Sequence, residues 1–133
     1  MWAASTLEPR FDSPLAHYWG IALAGAVAGA AITFTGAATL RRARTTLLPM
    51  WPQRTTSLVT TGIFRWTRNP MYLGIAAALV GWAAYLSAAW PLLGPVLFVL
   101  YIDRFQIQPE ERALTELFGT EYADYSRRVR RWI

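Results

Sequence analysis

LVTTGIFRWTRNPMYLG, from Leu58 to Gly74, crowds polar, aromatic and turn-forming residues directly before a long apolar run. Arg65 and Arg68 flank Trp66, and Asn69-Pro70 ends whatever precedes it. A proline in the first helical turn loses no hydrogen bond and presets φ, so Pro70 marks a helix start. No charged residue follows until Asp103. That predicts a membrane helix, with the arginines and Trp66 at the water–lipid boundary. A second polar cluster begins at Arg104 and runs through Pro109-Glu110-Glu111 to an arginine-rich C-terminus.

The apolar run between the clusters, Met71 to Ile102, is 32 residues. One helix of that length would be about 48 Å long and would carry the tail across the membrane. Two shorter helices turning near Ser87 to Pro91 bring the tail back. Trp90-Pro91 and the arginine distribution favour this hairpin, over residues 70–108. Upstream, Leu15 to Leu40 is uncharged for 26 residues, enough to cross a hydrocarbon core of about 30 Å. Gly25 and Gly29 have GxxxG spacing, which lets another helix approach closely. A second copy of the chain could dock there; a composition rich in glycine and alanine also produces such spacing by chance. Arg41, Arg42 and Arg44 end this helix and place that side in the cytoplasm. Residues 41–69 form a cytoplasmic loop that carries Arg68-Asn69-Pro70 at its end; Thr45 to Thr61 has no helical periodicity, and Met50, Trp51, Leu58 and Val59 rest on something apolar. Residues 1–14, with Glu8, Arg10 and Asp12, form an extended lead rather than a cleaved signal peptide.

From Pro109 to Ile133 the pattern changes. Leu114, Leu117, Phe118, Tyr122, Tyr125, Val129 and Trp132 recur at three- and four-residue steps, with a break at Gly119. The opposite face carries Glu116, Glu121 and Asp124, then Arg127, Arg128, Arg130 and Arg131. This is an amphipathic cytoplasmic helix suited to an anionic leaflet. The whole is one all-α membrane domain of about three transmembrane helices, N-terminus outside and C-terminus inside.

Composition excludes several classes. Of the 133 residues 54% are hydrophobic and 16% charged, against roughly 25% charged for a soluble chain. All 13 basic residues are arginines at the ends of apolar runs, a placement for topology and headgroups rather than nucleic acid. With no cysteine and a single histidine, His17, thiolate chemistry is excluded and no metal site is expected. His17 lies beside Tyr18 and Trp19 at a helix entrance. No GxGxxG supports a Rossmann enzyme. Glu110 and Glu111 at a membrane boundary are costly unless they meet a polar ligand or an ion pair, with Arg68 or Arg104 as partner. The two arms of a hairpin return to the same membrane face, which brings Arg68 and Tyr72 to this carboxylate pair.

Together, LVTTGIFRWTRNPMYLG and PEERALTELFGTEYADYSRRVRRWI resemble the isoprenylcysteine carboxyl methyltransferases and their phospholipid methyltransferase relatives. The pattern of that family is (V/T)xxGxYRxxRHPxYxG, a transmembrane hairpin, then a Glu-Glu pair ahead of FGxEYxxYxxRVxRW. The resemblance covers Leu58 to Ile133, and the region before residue 45 matches only as a membrane helix. It departs at Asn69, where the family has histidine, and in having about three helices rather than four or more.

The resemblance implies an S-adenosylmethionine-dependent methyltransferase in a bacterial inner membrane. Its acceptor would be a prenylcysteine-type carboxylate, a phospholipid amine or a thiol, entering from lipid. Arg68 and Glu111 take the catalytic roles. The cofactor is held by Arg68, Asn69, Pro70, Tyr72, Gly74, Glu110 and Glu111, with Tyr72 or Trp66 stacking on adenine. Arginine suits the cofactor's carboxylate, and a glutamate its hydroxyls or amine. The alternatives are a non-enzymatic small membrane protein, or a sterol-reductase-like enzyme using a nicotinamide.

Overall fold

The computed structural model describes residues 15–45, 57–86 and 88–133, with the backbone alone for 15–17. The expectations for residues 1–14, for Met50 and Trp51, for Ser87 and for the side chain of His17 lie outside the described residues. The described residues form helices and no strand: α1 (Leu15–Arg42), α2 (Pro70–Tyr85), α3 (Leu93–Ile102), α4 (Gln108–Phe118) and α5 (Thr120–Arg128). By length and apolarity one helix, Tyr18–Arg42, can cross a membrane; Pro70–Tyr85 is apolar but shorter.

α1 runs two residues past Leu40, so Arg41 and Arg42 form its last turn. There they complement the negative end of the helix dipole. α2 opens on Pro70, as the sequence predicts. The chain then turns through a 3₁₀ segment at Trp90–Leu92, and α3 returns alongside.

The predicted boundary between hairpin and tail at residue 108 does not exist as a break. α3 passes through a π-helical segment, Asp103–Ile107, directly into α4. Pro109, second in α4, supplies the reason. It has no N–H to donate and its ring crowds the preceding turn, and widening that turn to π geometry relieves both. The break comes at Gly119, whose φ of 53° lies in the left-handed region that glycine tolerates best.

α1 and α2 pack face to face through small residues. A Cβ on Gly25 would stand 2.8 Å from the Gly81 Cα, and one on Gly29 would strike the Gly74 carbonyl. Near the arginine end, a Cβ on Gly36 would meet the Pro70 ring at 2.9 Å. The GxxxG face is therefore filled by α2 of the same chain, and the second copy expected there has no room. The bilayer-spacing logic holds, but the neighbour is intramolecular.

The apolar face of the tail is also used differently. Tyr122, Tyr125 and Val129 are buried with Leu40, Val59 and Phe64 in one core, flanked by Met71, Leu114 and Phe118. That face covers the loop and the end of α1 instead of lying on lipid. The loop before α2 is shaped to receive it, with a 3₁₀ turn at Gly62–Arg65.

Candidate functional site

The core just described closes the end of the molecule at which Arg41, Arg42, Arg65 and Arg68 gather. Here the two polar clusters of the sequence meet. Arg68 reaches across to α4 and α5: its Nη1 lies 2.9 Å from Glu111 Oε1 and donates to Tyr122 Oη at 3.0 Å. Side-chain exposures are 14% for Arg68 and 19% for Glu111, so this pair is largely withdrawn from water. Among the described residues, Arg68 Nε is buried without a partner. Tyr72, one turn into α2, donates to Glu110 Oε1 at 2.7 Å, and Gln106 donates to the same oxygen at 3.3 Å. Glu110 is 8% exposed. Burial pushes its carboxyl above the ordinary range, while the Tyr72 and Gln106 donors pull it back.

The strongest organiser of the site is a residue that sequence reasoning left on the solvated face of the tail. Arg131 places its Nε 3.0 Å and its Nη2 2.6 Å from the two oxygens of Glu111. Its Nη1 lies 3.1 Å from both oxygens of Asp103. The Glu111 contact holds the Arg131 guanidinium above its already high pKa. Asp103 therefore pairs with Arg131, not with its neighbour Arg104. The tail is also bound through backbone: Arg68 N–H donates to the Arg130 carbonyl at 3.1 Å, and Asn69 Nδ2 to the Arg131 carbonyl at 3.0 Å. Asn69 thus acts as a clasp on the chain end, a task for which its amide suits and titration is irrelevant. On the far side of the same strap, Tyr125 Oη donates to the Phe64 carbonyl at 2.8 Å.

Of the predicted residues, Arg68, Asn69, Tyr72, Glu110 and Glu111 come together. Pro70 and Gly74 do not join them, being buried in the α1–α2 seam against Gly36 and against Gly29 and Thr33. Trp66 is 79% exposed, and no hydrogen bond or ring contact joins its side chain to this network among the described residues. The Tyr72 hydroxyl is already engaged by Glu110. Arg131, Gln106 and Tyr122 were missed; Asp103 reads from sequence as a salt-bridged anchor or part of a polar cavity with its neighbour Arg104, and its partner is instead Arg131. For Tyr122 and Arg131 the available signal was the FGxEYxxYxxRVxRW pattern, in which they are the first tyrosine and the last arginine.

Two hollows border the Arg68–Glu111 pair. An open, charged depression of about 580 Å³ is lined by Arg68, Glu111, Arg112, Glu116, Tyr122 and Arg131, among others. A small enclosed cavity of about 20 Å³ lies on the other side, walled by Leu58, Val59, Phe64, Leu114, Glu110 and Glu111 with the same Arg68. The larger hollow falls in the volume range of small-molecule sites. The smaller one has room for a single water-sized group.

The phospholipid methyltransferase family model matches residues 15–121. The match takes in α1, which on sequence patterns alone resembled nothing more than a membrane helix. It stops short of Tyr122 and Arg131. A Haemophilus influenzae protein of uncharacterised function is 41% identical over 63 residues, 47% of this chain and all of its own. The mouse protein-S-isoprenylcysteine O-methyltransferase is 37% identical over 78 residues, 56% of this chain and 26% of its own. Methanethiol S-methyltransferase 1 of Bradyrhizobium diazoefficiens is 40% identical over 67 residues, 50% of this chain and 22% of its own. The chain thus spans about a quarter of the length of these two methyltransferases. No solved structure matches it significantly.

Proposed function

This chain belongs to the phospholipid methyltransferase family, and from that premise we propose that it is an S-adenosylmethionine-dependent methyltransferase embedded in a membrane. The observation that carries the reading is the convergence of Arg68 with Glu111, 43 positions apart in sequence, beside a charged depression. An ion pair that only pinned the helices would satisfy all of its polar atoms. Arg68 Nε, buried and unpartnered among the described residues, is instead a donor held ready for an acceptor that those residues do not supply. The carboxylate of an amino-acid-bearing cofactor meets that need, and Glu111 lies beside it for the amine.

The residues present fit the cofactor in charge and in space. When bound, it supplies an activated methyl group on sulfur. The chain's task is then to position two reactants and exclude water, which needs no nucleophile or metal of its own. Arg68 and Glu111 bind and orient, Arg131 fixes Glu111, and Asn69 holds Arg131 in place through the backbone. Tyr72 and Glu110 line the side facing away from the open depression. The acceptor is lipophilic: relatives are named for prenylcysteine and for methanethiol, and the site sits where helices of the hairpin leave the apolar zone. α1, α2 and α3 form three spans, with the N-terminus outside and the arginine-rich end in the cytoplasm of a bacterial inner membrane. Family membership favours this reading over the sterol-reductase-like and non-enzymatic alternatives.

Calorimetry with S-adenosylmethionine on detergent-purified protein tests the claim. Arg68→Ala and Glu111→Gln should each weaken binding by about 100-fold, as expected for losing a charge-assisted pair in a withdrawn site. Both should remain folded, because in either variant one arginine–carboxylate contact of the tail survives. Wild-type affinity in both folded variants defeats the assignment.

A further inference from the structure

Asp103 and Glu111 stand eight positions apart, on either side of the join between α3 and α4. In an unbroken α-helix each residue turns the chain by about 100°, so eight residues end about 80° past two full turns. The two carboxylates would then leave the helix on different faces. The π-helical segment Asp103–Ile107 changes that count. Gln108 N–H donates to the Asp103 carbonyl, five residues back instead of four, so the turn takes up one extra residue. Asp103 and Glu111 then behave as residues about seven apart, about 20° short of two turns, and share one face. A single guanidinium can reach both. Arg131 does so, with Nη1 3.1 Å from each Asp103 oxygen and with Nε and Nη2 on Glu111.

The consequence falls on the charged depression. Arg68 and Arg131 both line it, and both hold Glu111. They differ in what remains free. Each of the three Arg131 nitrogens has a carboxylate partner, Asp103 taking the one that Glu111 leaves over. Arg68 Nε has no partner among the described residues. Glu111 Oε1 accepts from both arginines, so any swing of Arg131 moves the carboxylate that Arg68 also holds. Asp103 does not itself line the depression. Gln108, which does, donates to Asp103 Oδ2 at 3.4 Å.

Resting on the methyltransferase reading above, we propose that Asp103 is a positioning residue of the cofactor site. Acting through Arg131, it fixes the orientation in which Glu111 and Arg68 meet the cofactor. The π turn is the device that sets Asp103 on the required face. Pro109 favours that turn locally, and the change of register is what the site draws from it.

A double-mutant cycle, read by calorimetry with S-adenosylmethionine on the full chain in detergent, tests the assignment. Asp103→Asn should weaken binding about tenfold although Arg68 and Glu111 are both in place. Arg131→Ala should weaken it at least as much. Adding Asp103→Asn to Arg131→Ala should then change affinity by less than about twofold, because the path from Asp103 is already cut. An ion pair with a purely structural role would lower the melting temperature and leave the affinity of the folded protein at its wild-type value. That result overturns the proposal. So does a full tenfold loss from Asp103→Asn in the Arg131→Ala background, which would mean direct contact with the ligand.

The register has a test of its own. Deleting Phe105, an exposed residue of the π turn, leaves Asp103 and Glu111 seven positions apart. Pro109→Ala in the same chain restores the missing N–H, so an ordinary α-helix presents both carboxylates on one face. This variant should fold and bind S-adenosylmethionine within about threefold of wild type. Loss of folding or of affinity in it overturns the role given to the π turn. A wild type that binds no S-adenosylmethionine fails the methyltransferase reading, and this inference with it. A wild type that binds, with folded Asp103→Asn equal to it, fails this inference alone.

Discussion

At the scale of single residues, Arg131 and Glu110 set the energetics of the site. Arg131 makes four contacts to two carboxylates while a third of its side chain remains exposed. Arg131→Ala removes the partner of Asp103 and half the partners of Glu111, and should cost about 1–3 kcal/mol in denaturant unfolding in detergent. Arg131→Lys should recover little, because a point charge cannot span two carboxylates as a planar fork does. Equal stability of Arg131→Lys and wild type would show that charge alone suffices. Glu110 gives a dependence on pH. Its folded carboxyl is raised above 4.5 by burial, so the folded state holds its proton more tightly than the unfolded chain. The stability this provides is complete below the unfolded value and is lost as pH rises through the folded one. Glu110→Gln should therefore melt above wild type at neutral pH, with the gap closing towards pH 4.5. A constant gap across that range would mean the carboxyl is not perturbed.

At the scale of elements, two contacts decide the architecture. The first is the glycine seam between α1 and α2, where backbones touch. Gly29→Ile forces a branched side chain against the Gly74 carbonyl and Ala78, and should destabilise by about 1–3 kcal/mol or more. Gly20→Ala, where a Cβ meets nothing, is the matched control and should be neutral or slightly stabilising. Melting of the two variants in detergent checks this, and equal melting would return the GxxxG spacing to coincidence. The second contact is the tail on the loop. Phe64, 1% exposed beneath Tyr122 and Tyr125, anchors it. Phe64→Ala should cost about 3–5 kcal/mol and loosen Arg131 with it. The amphipathic period of the tail was plain in sequence. Its partner was not, because a helical apolar stripe satisfies lipid and protein equally until a loop of matching shape is known.

At the scale of the whole molecule, the chain has two unlike ends. Trp19 packs against Tyr85 at a tilt, ring centroids 4.6 Å apart, with Trp82 beside it, at the end opposite Arg41, Arg42 and Arg68. This gives an aromatic belt on one side and a cationic rim on the other. Leu40 at the end of α1 and Tyr122 in the tail share one core, so the proposed membrane arrangement has both on one face. Reporter fusions after Arg44 and after Ile133 should both report the cytoplasm; opposite signals would break the hairpin arrangement.

Sequence by itself determined the helical class, the start of α2 at Pro70, the turn at Trp90-Pro91, the break at Gly119 and the meeting of Arg68 and Tyr72 with Glu110 and Glu111. These follow from local chemistry: a missing N–H, a missing Cβ, and an apolar length that returns the chain to the face it left. Only tertiary structure decided which surface each apolar face would cover, that Gly25 and Gly29 would meet Gly81 and Gly74, and that Arg131 would hold Glu111 and Asp103. Periodicity names a face without naming its neighbour. A guanidinium 20 positions from Glu111 is one of many equivalent arginines until the fold brings a particular one within reach.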